Sequence, residues 1–170
     1  MDTFFEQIVR IKKTYKSTLA FVGIWGAAIL LCYTAILFSG YIGTIFVLLI
    51  AGIIYGAFKL SGLLNVEYEY IVTNTSLDID KIVNKSNRQR MMSLELPTAS
   101  RLEKYNPALL NNIDSKKLVF ACNKDDQDIY LLVCEKDGKG AQYLVFAPNE
   151  KMQSAIAQSL PKFISNSAFK

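Results

Sequence analysis

The chain has 170 residues, 51% of them apolar, a formal net charge of +4 and no histidine. Without imidazole it lacks the commonest general base, the commonest metal ligand and the usual pH switch. Its three cysteines, Cys32, Cys122 and Cys134, form no C-x-x-C pair, which argues against a zinc site or a disulfide framework and fits reduced thiols buried as small hydrophobes.

Residues 1–18 form an N-terminal amphipathic segment. Phe4, Phe5, Ile8 and Ile11 recur at helical spacing among Arg10, Lys12, Lys13 and Lys16. Two readings are open: a short helix lying on the inner leaflet with its lysines near the headgroups, or a helical extension of the span that follows.

Residues 19–60 read as a two-helix transmembrane hairpin. Leu19 to Phe38 and Tyr41 to Phe58 are uncharged and separated only by Ser39 and Gly40. At ~1.5 Å per helical residue each reaches about the ~30 Å of a bilayer's hydrocarbon core. The first run is too long for a signal-peptide core, so cleavage is not expected. Basic residues precede the first span, Lys59 closes the second, and the turn between them is uncharged. The expected placement is the cell membrane, multi-pass, with the N-terminus and the C-terminal domain both cytoplasmic. Neither span carries an ionisable Asp, Glu, Lys or Arg, which argues against transport by this chain alone. Gly52 and Gly56 form G-x-x-x-G, and Gly23 and Ala27 repeat the small-residue spacing. Such a face brings helices close. It serves either a homo-oligomer or the packing of the two tethered helices on each other, and tethering favours the second.

Residues 61–170 read as a cytoplasmic domain. Its 14 basic and 13 acidic residues nearly balance, which argues against a nucleic-acid partner. VEYEYIVT alternates, with Tyr68, Tyr70 and Val72 against Glu67 and Glu69, and SLDIDKIV alternates with Leu77 and Ile79 against Asp78 and Asp80. RQRMMSLEL puts Met92, Leu94 and Leu96 on one face before Pro97. Residues 100–114 are mixed, with Pro107 interrupting any short helix. Three strands follow at 117–122, 129–134 and 142–147, joined by the turn-rich NKDDQD and EKDGKG. A final helix starts at the N-cap Asn149, with Met152, Ile156 and Leu160 on one face, and ends or kinks at Pro161.

Antiparallel strands followed by one amphipathic C-terminal helix resemble the pleckstrin-homology-like (PH-like) fold. EYEYIVTNTSLDIDKIVNKSNRQRMMSLEL resembles the start of bacterial PH-like domains, in which a Y-x-(I/L/V)-T strand, a turn and an L-x-I strand precede alternating aliphatics. With its MDTFFEQIV start and VEYEYIVTN strand, the whole chain resembles an uncharacterised family of small two-span membrane proteins from Gram-positive anaerobes. The resemblance implies an α+β membrane protein: a transmembrane helical hairpin followed by a PH-like antiparallel β domain capped by a C-terminal helix. It implies no catalytic residues. Only three strands are legible before the break at Pro97, where the full fold has four, so residues 100–106 must supply a strand or the sheet is abbreviated.

Lys81, Lys85, Arg88 and Arg90 form the candidate site for an anionic lipid or phosphate, which needs several converging cations; a solvated hairpin is the favoured alternative, since charge runs usually just face water. Asp125, Asp126 and Asp128 lack the glycine and distal glutamate of a calcium loop and read as a charged turn. Asp78 and Asp80 read as the solvent face of a strand. Asn74-Thr75-Ser76 and Asn84-Lys85-Ser86 match the glycosylation sequon, which a cytoplasmic domain would not present to the transferase. No metal or cofactor is expected, nor an enzyme. The expected function is a membrane-anchored, non-enzymatic interaction module for a protein partner or anionic lipid. The alternative is an oligomer-forming accessory subunit acting through the hairpin.

Overall fold

The computed structural model describes residues 4–110, 113–114, 117–136, 140–165 and 168–169. The chain divides into a β-rich unit (1–11, 67–82 and 88–170) and a helical unit (12–66 and 83–87).

The β-rich unit begins before the helices. β1 (Phe4–Arg10) is a strand, paired antiparallel with β2 (Val66–Thr73) from Phe4 opposite Thr73 to Arg10 opposite Glu67. This overturns the amphipathic helix expected at the N-terminus. FFEQIVR satisfies a helical spacing but is equally rich in β-forming residues, and pairing with a distant strand decides between them. Gln7 fixes the strand further: its Nε2 donates to the Ala147 carbonyl at 3.0 Å, and the Asn149 N–H donates to its Oε1 at 2.9 Å. β1 is the fourth strand missing from the sequence reading.

The first sheet runs β1-β2-β3-β4, with β3 at Ser76–Val83 and β4 at Asn87–Glu95. A 3-10 turn at Leu96–Thr98 leads into β5 (Ala99–Lys104), so the segment around residue 100 is also a strand. A second 3-10 turn covers Pro107–Leu110, followed by β6 (Leu118–Phe120), β7 (Tyr130–Lys136) and β8 (Gly140–Phe146). The second sheet runs β5-β7-β8-β6. β6 pairs parallel with β8, which corrects the expectation of an all-antiparallel domain. NKDDQD therefore does not close a hairpin between neighbours. It is a loop in which Asp126 accepts from the Asn123 N–H at 2.9 Å. Residues 137–139 of EKDGKG lie outside the described residues.

α4 (Glu150–Ser159) opens as expected, with the Asn149 side chain accepting from the Met152 N–H at 2.9 Å. Leu160 and Pro161 end it, and a short α5 (Lys162–Ser165) follows. Tyr70, Val72, Leu77 and Ile79 of the first sheet, Leu132, Leu144 and Phe146 of the second, and Met152, Ala155 and Ile156 of α4 make one core. Burying each large side chain contributes roughly 1.5–3 kcal/mol. Tyr70 packs edge-on against Phe146 at 5.8 Å, and its hydroxyl donates to the Ala121 carbonyl at 2.6 Å. The second sheet is apolar on its other face too, where Leu131, Val133 and Val145 pack with Leu118, Ile129 and Tyr143.

In the helical unit α1 (Tyr15–Leu37) and α3 (Ile45–Gly62) flank a single turn of helix, α2 (Ser39–Ile42). The reversal falls at Gly43, not at Ser39-Gly40. Gly43 has φ +62° and ψ −144°, a conformation essentially confined to glycine. α3 is accordingly displaced about one turn from its expected limits, while α1 starts a turn early and ends one residue short of its expected limit. With mean hydropathies of 2.1 and 2.0, α1 and α3 are long and apolar enough to cross a membrane by length and composition.

Candidate interaction surfaces

Of the four predicted basic residues, Arg88 and Arg90 are ion-paired. Arg88 Nη2 lies 3.0 Å from Glu69 Oε1. Arg90 lies 2.6 Å from Asp78 Oδ2 and also pairs with the Asp80 carboxylate through its Nε. Each guanidinium thus pairs with a carboxylate of the same sheet. Lys81, on β3, has no ion-pair partner among the described residues; Lys85 has none either, and belongs to the helical unit.

The acidic partners correct the sequence reading. Asp80 was expected on a solvated face and Glu69 across its strand from Tyr68, Tyr70 and Val72, yet Glu69 and Asp80 are 1% and 4% exposed. A buried carboxylate is tolerable only when paired and hydrogen-bonded, and Arg88 and Arg90 supply those pairs. Burial raises the pKa of Glu69, the adjacent Glu6 carboxyl raises it further, and Arg88 opposes both. Periodicity places Glu67 and Glu69 on one face but cannot tell which of them is covered. The one clue is the two arginines of β4, Arg88 and Arg90, set beside the four acids of β2 and β3. Arg90 and Met92 are two residues apart on β4, yet Met92 packs in the core while Arg90 reaches carboxylates opposite the core residues Leu77 and Ile79.

The other polar candidates are accounted for locally. Asp128 pairs with Lys104 at 3.0 Å and Asp126 closes the 123–126 turn; among the described residues no three acidic or cysteine side chains cluster as metal ligands would. Cys134 lies beside a cleft of about 310 Å³ that Ser93, Glu95, Thr98 and Gln142 also line. Burial pushes the thiols of Cys122 and Cys134 up to about 12, so both are inert near neutral pH.

In the helical unit the buried positions are Ala28 and Ala35 of α1 and Ala57, Ser61 and Gly62 of α3. All are small, but none is one of the four expected at the helix contact. A Cβ placed on Gly23, Gly52 or Gly56 would meet nothing within 4 Å. Gly23, Ala27, Gly52 and Gly56 instead line one apolar groove of about 530 Å³ running from Ala20 and Leu60 along both helices. The preference for packing within the hairpin is thus corrected at the glycines, because they face open space.

At the end of α3 the space is closed. A Cβ on Gly62 would lie 2.8 Å from the Asn84 side chain, and the Asn84 N–H donates to the Asn65 carbonyl at 2.9 Å. Asn84 and Lys85 both have positive φ, 53° and 57°, as the two central residues of a type I′ turn require.

The chain matches the family described as "Bacterial PH-like domain (DUF6106)" over residues 1–166 and belongs to that family. The match includes β1, the segment ahead of the helices. No curated protein and no solved structure matches the chain.

Proposed function

We propose that this protein is a membrane-anchored, non-enzymatic interaction module. Its helical hairpin spans the cell membrane twice and holds the PH-like domain at the inner leaflet, where it meets a protein partner. The observation that carries this reading is where the hairpin enters the fold. β1 and β2 pair rung by rung, and the two long apolar helices are the connection between them. Such an anchor is built into the first sheet of the domain. The lysines flanking the hairpin support a cytoplasmic domain. Fractionation with alkaline carbonate tests the anchor, and the chain should stay in the membrane pellet. A membrane-impermeant thiol reagent tests orientation: Ser39→Cys should label in intact cells and Lys151→Cys only after permeabilisation. Labelling of Lys151→Cys from outside would reverse the topology.

A second reading, an oligomer-forming subunit of a membrane complex, is favoured by one observation: Gly23, Ala27, Gly52 and Gly56 line an unfilled groove. Crosslinking in native membranes distinguishes a self-contact along that groove from a partner held by the domain.

A further inference from the structure

We infer that the helical unit carries a lysine collar that binds the phosphate headgroups of anionic lipids, and that Lys85 of the β3–β4 turn belongs to it. This rests on the membrane-spanning reading above and moves the lipid contact away from Arg88 and Arg90.

Three observations carry it. First, the charge of the helical unit is of one sign. Residues 12–66 and 83–87 contain Lys12, Lys13, Lys16, Lys59 and Lys85 and no aspartate or glutamate. Among the described residues Lys13, Lys16, Lys59 and Lys85 form no ion pair and are exposed. Second, these lysines gather at one end. Ala20 and Leu60 line the same end of the interhelical groove, so Lys16 and Lys59 flank that end from the two helices, and the far end, residues 38–44, has no charge. Third, Asn84 docks the turn on that end through Gly62 and Asn65, which brings Lys85 there although it is distant in sequence. The stems of two of the lysines also lie back along the helices. Lys13 Nζ is 5.2 Å from the Phe21 ring centroid and Lys59 Nζ is 5.6 Å from that of Tyr55. These contacts lay the two stems on apolar helix surface at the charged end of the hairpin. Lys13, Lys16, Lys59 and Lys85, without ion-pair partners among the described residues, fit the phosphodiester of an anionic headgroup, which lies where an apolar span leaves the membrane. Each such lysine is worth about five-fold in local enrichment of an anionic lipid.

The test uses the full chain in nanodiscs of phosphatidylcholine mixed with phosphatidylglycerol, with spin-labelled lipid of each kind to measure what the protein immobilises. The wild type should favour phosphatidylglycerol. Lys59→Gln with Lys85→Gln should lower that preference by on the order of 25-fold, and adding Lys13→Gln and Lys16→Gln should abolish it. Lys59→Arg with Lys85→Arg should keep it, which shows that the glutamine variants fail through charge, not folding. Lys151→Gln in α4 should change nothing. Equal immobilisation of the two lipids by the wild type overturns the proposal, as does a quadruple variant that keeps its preference. Displacement of the lipid by inorganic phosphate, beyond the effect of chloride at equal ionic strength, overturns it in favour of a site for free phosphate. A chain that never enters the nanodisc refutes the membrane reading itself, whereas one that enters without lipid preference refutes the collar alone.

Discussion

Arg10 Nε lies 3.1 Å from Glu67 Oε1, and the two residues are opposite one another at the last rung of the β1–β2 ladder. Both long helices lie between them in sequence. Arg10 is exposed, so the ion pair itself adds little. The register is what matters: the chain leaves the sheet and returns to it on neighbouring strands.

The register makes the hairpin removable and the N-terminal strand indispensable. Extending the pairing by one rung sets Ile11 opposite Val66, so an Asn-Gly pair joining them in place of residues 12–65 forms a two-residue hairpin loop. The spliced protein should be soluble without detergent and unfold cooperatively, because a shortened connection lowers the entropy of loop closure. A protein starting at Ser61 should not. It lacks β1 and the Gln7 hydrogen bonds to residues 147 and 149, and it uncovers one edge of the first sheet. Circular dichroism melts of the two proteins check this, and a cooperative melt of the shorter one at a similar temperature would show that β1 is dispensable.

Helix packing gives a second contrast. Ala57 is buried while Gly56 beside it has room for a side chain. Ala57→Leu should destabilise the detergent-solubilised monomer by about 1–3 kcal/mol through overpacking, and Gly56→Leu should leave it nearly unchanged. If an oligomer forms along the open groove, Gly56→Leu should dissociate it without unfolding the monomer. Unfolding in graded denaturing detergent, read beside crosslinked size, separates these outcomes. A Gly56→Leu monomer weakened as much as Ala57→Leu would place the tight contact at the glycines.

What was legible in the sequence follows from how local the signals are. The alternation of Tyr68-Tyr70-Val72 and of Leu77-Ile79, and the Asn149 cap of α4, rest on neighbours in sequence, and each element is found where they place it. β1 was misread because FFEQIVR becomes a strand only through a partner beyond the hairpin. The parallel β6–β8 pair was missed because a three-residue strand carries no sign of its partner's direction. The basic quartet was legible as residues and not as a site. Charge complementarity between Arg88 and Glu69, and between Arg90 and Asp80, is a cross-strand property, and no spacing along β4 reveals it.

Arg90→Ala should be more damaging than its half-exposed side chain suggests. The change leaves the Asp80 carboxylate buried without its guanidinium and removes the partner of Asp78. Stranding a buried carboxylate should cost about 2 kcal/mol, discounted for the exposure of the arginine. Arg90→Lys should recover only part, since one ammonium cannot reproduce the forked contact to two acids. Arg90→Ala with Asp80→Asn should recover more, by removing the stranded charge. Denaturant midpoints of the three variants decide the matter, and an Arg90→Ala midpoint equal to wild type would make the cluster a surface ornament.

Glu69 sets a pH dependence of definite sign. Its folded-state pKa is raised, chiefly by burial, then by the Glu6 carboxyl, with Arg88 opposing. A raised carboxylate means that the native state holds the proton more tightly than the unfolded chain does. Glu69 therefore favours folding most at acid pH. Its contribution declines as pH rises from its ordinary value, about 4.5, through the raised one, and stays lost above it. Glu69→Gln removes this titration while keeping an oxygen to accept from Arg88. The stability of Glu69→Gln relative to wild type should therefore climb as pH rises through that window and then level off. Taking the difference between the two proteins cancels the acids that do not interact with Glu69, so the window reports Glu69 together with the Glu6 and Asp80 carboxyls beside it. Urea unfolding of both proteins between pH 4 and 8 measures it. A difference that falls with pH would mean that attraction to Arg88 outweighs burial, and that Glu69 is held as a charged partner.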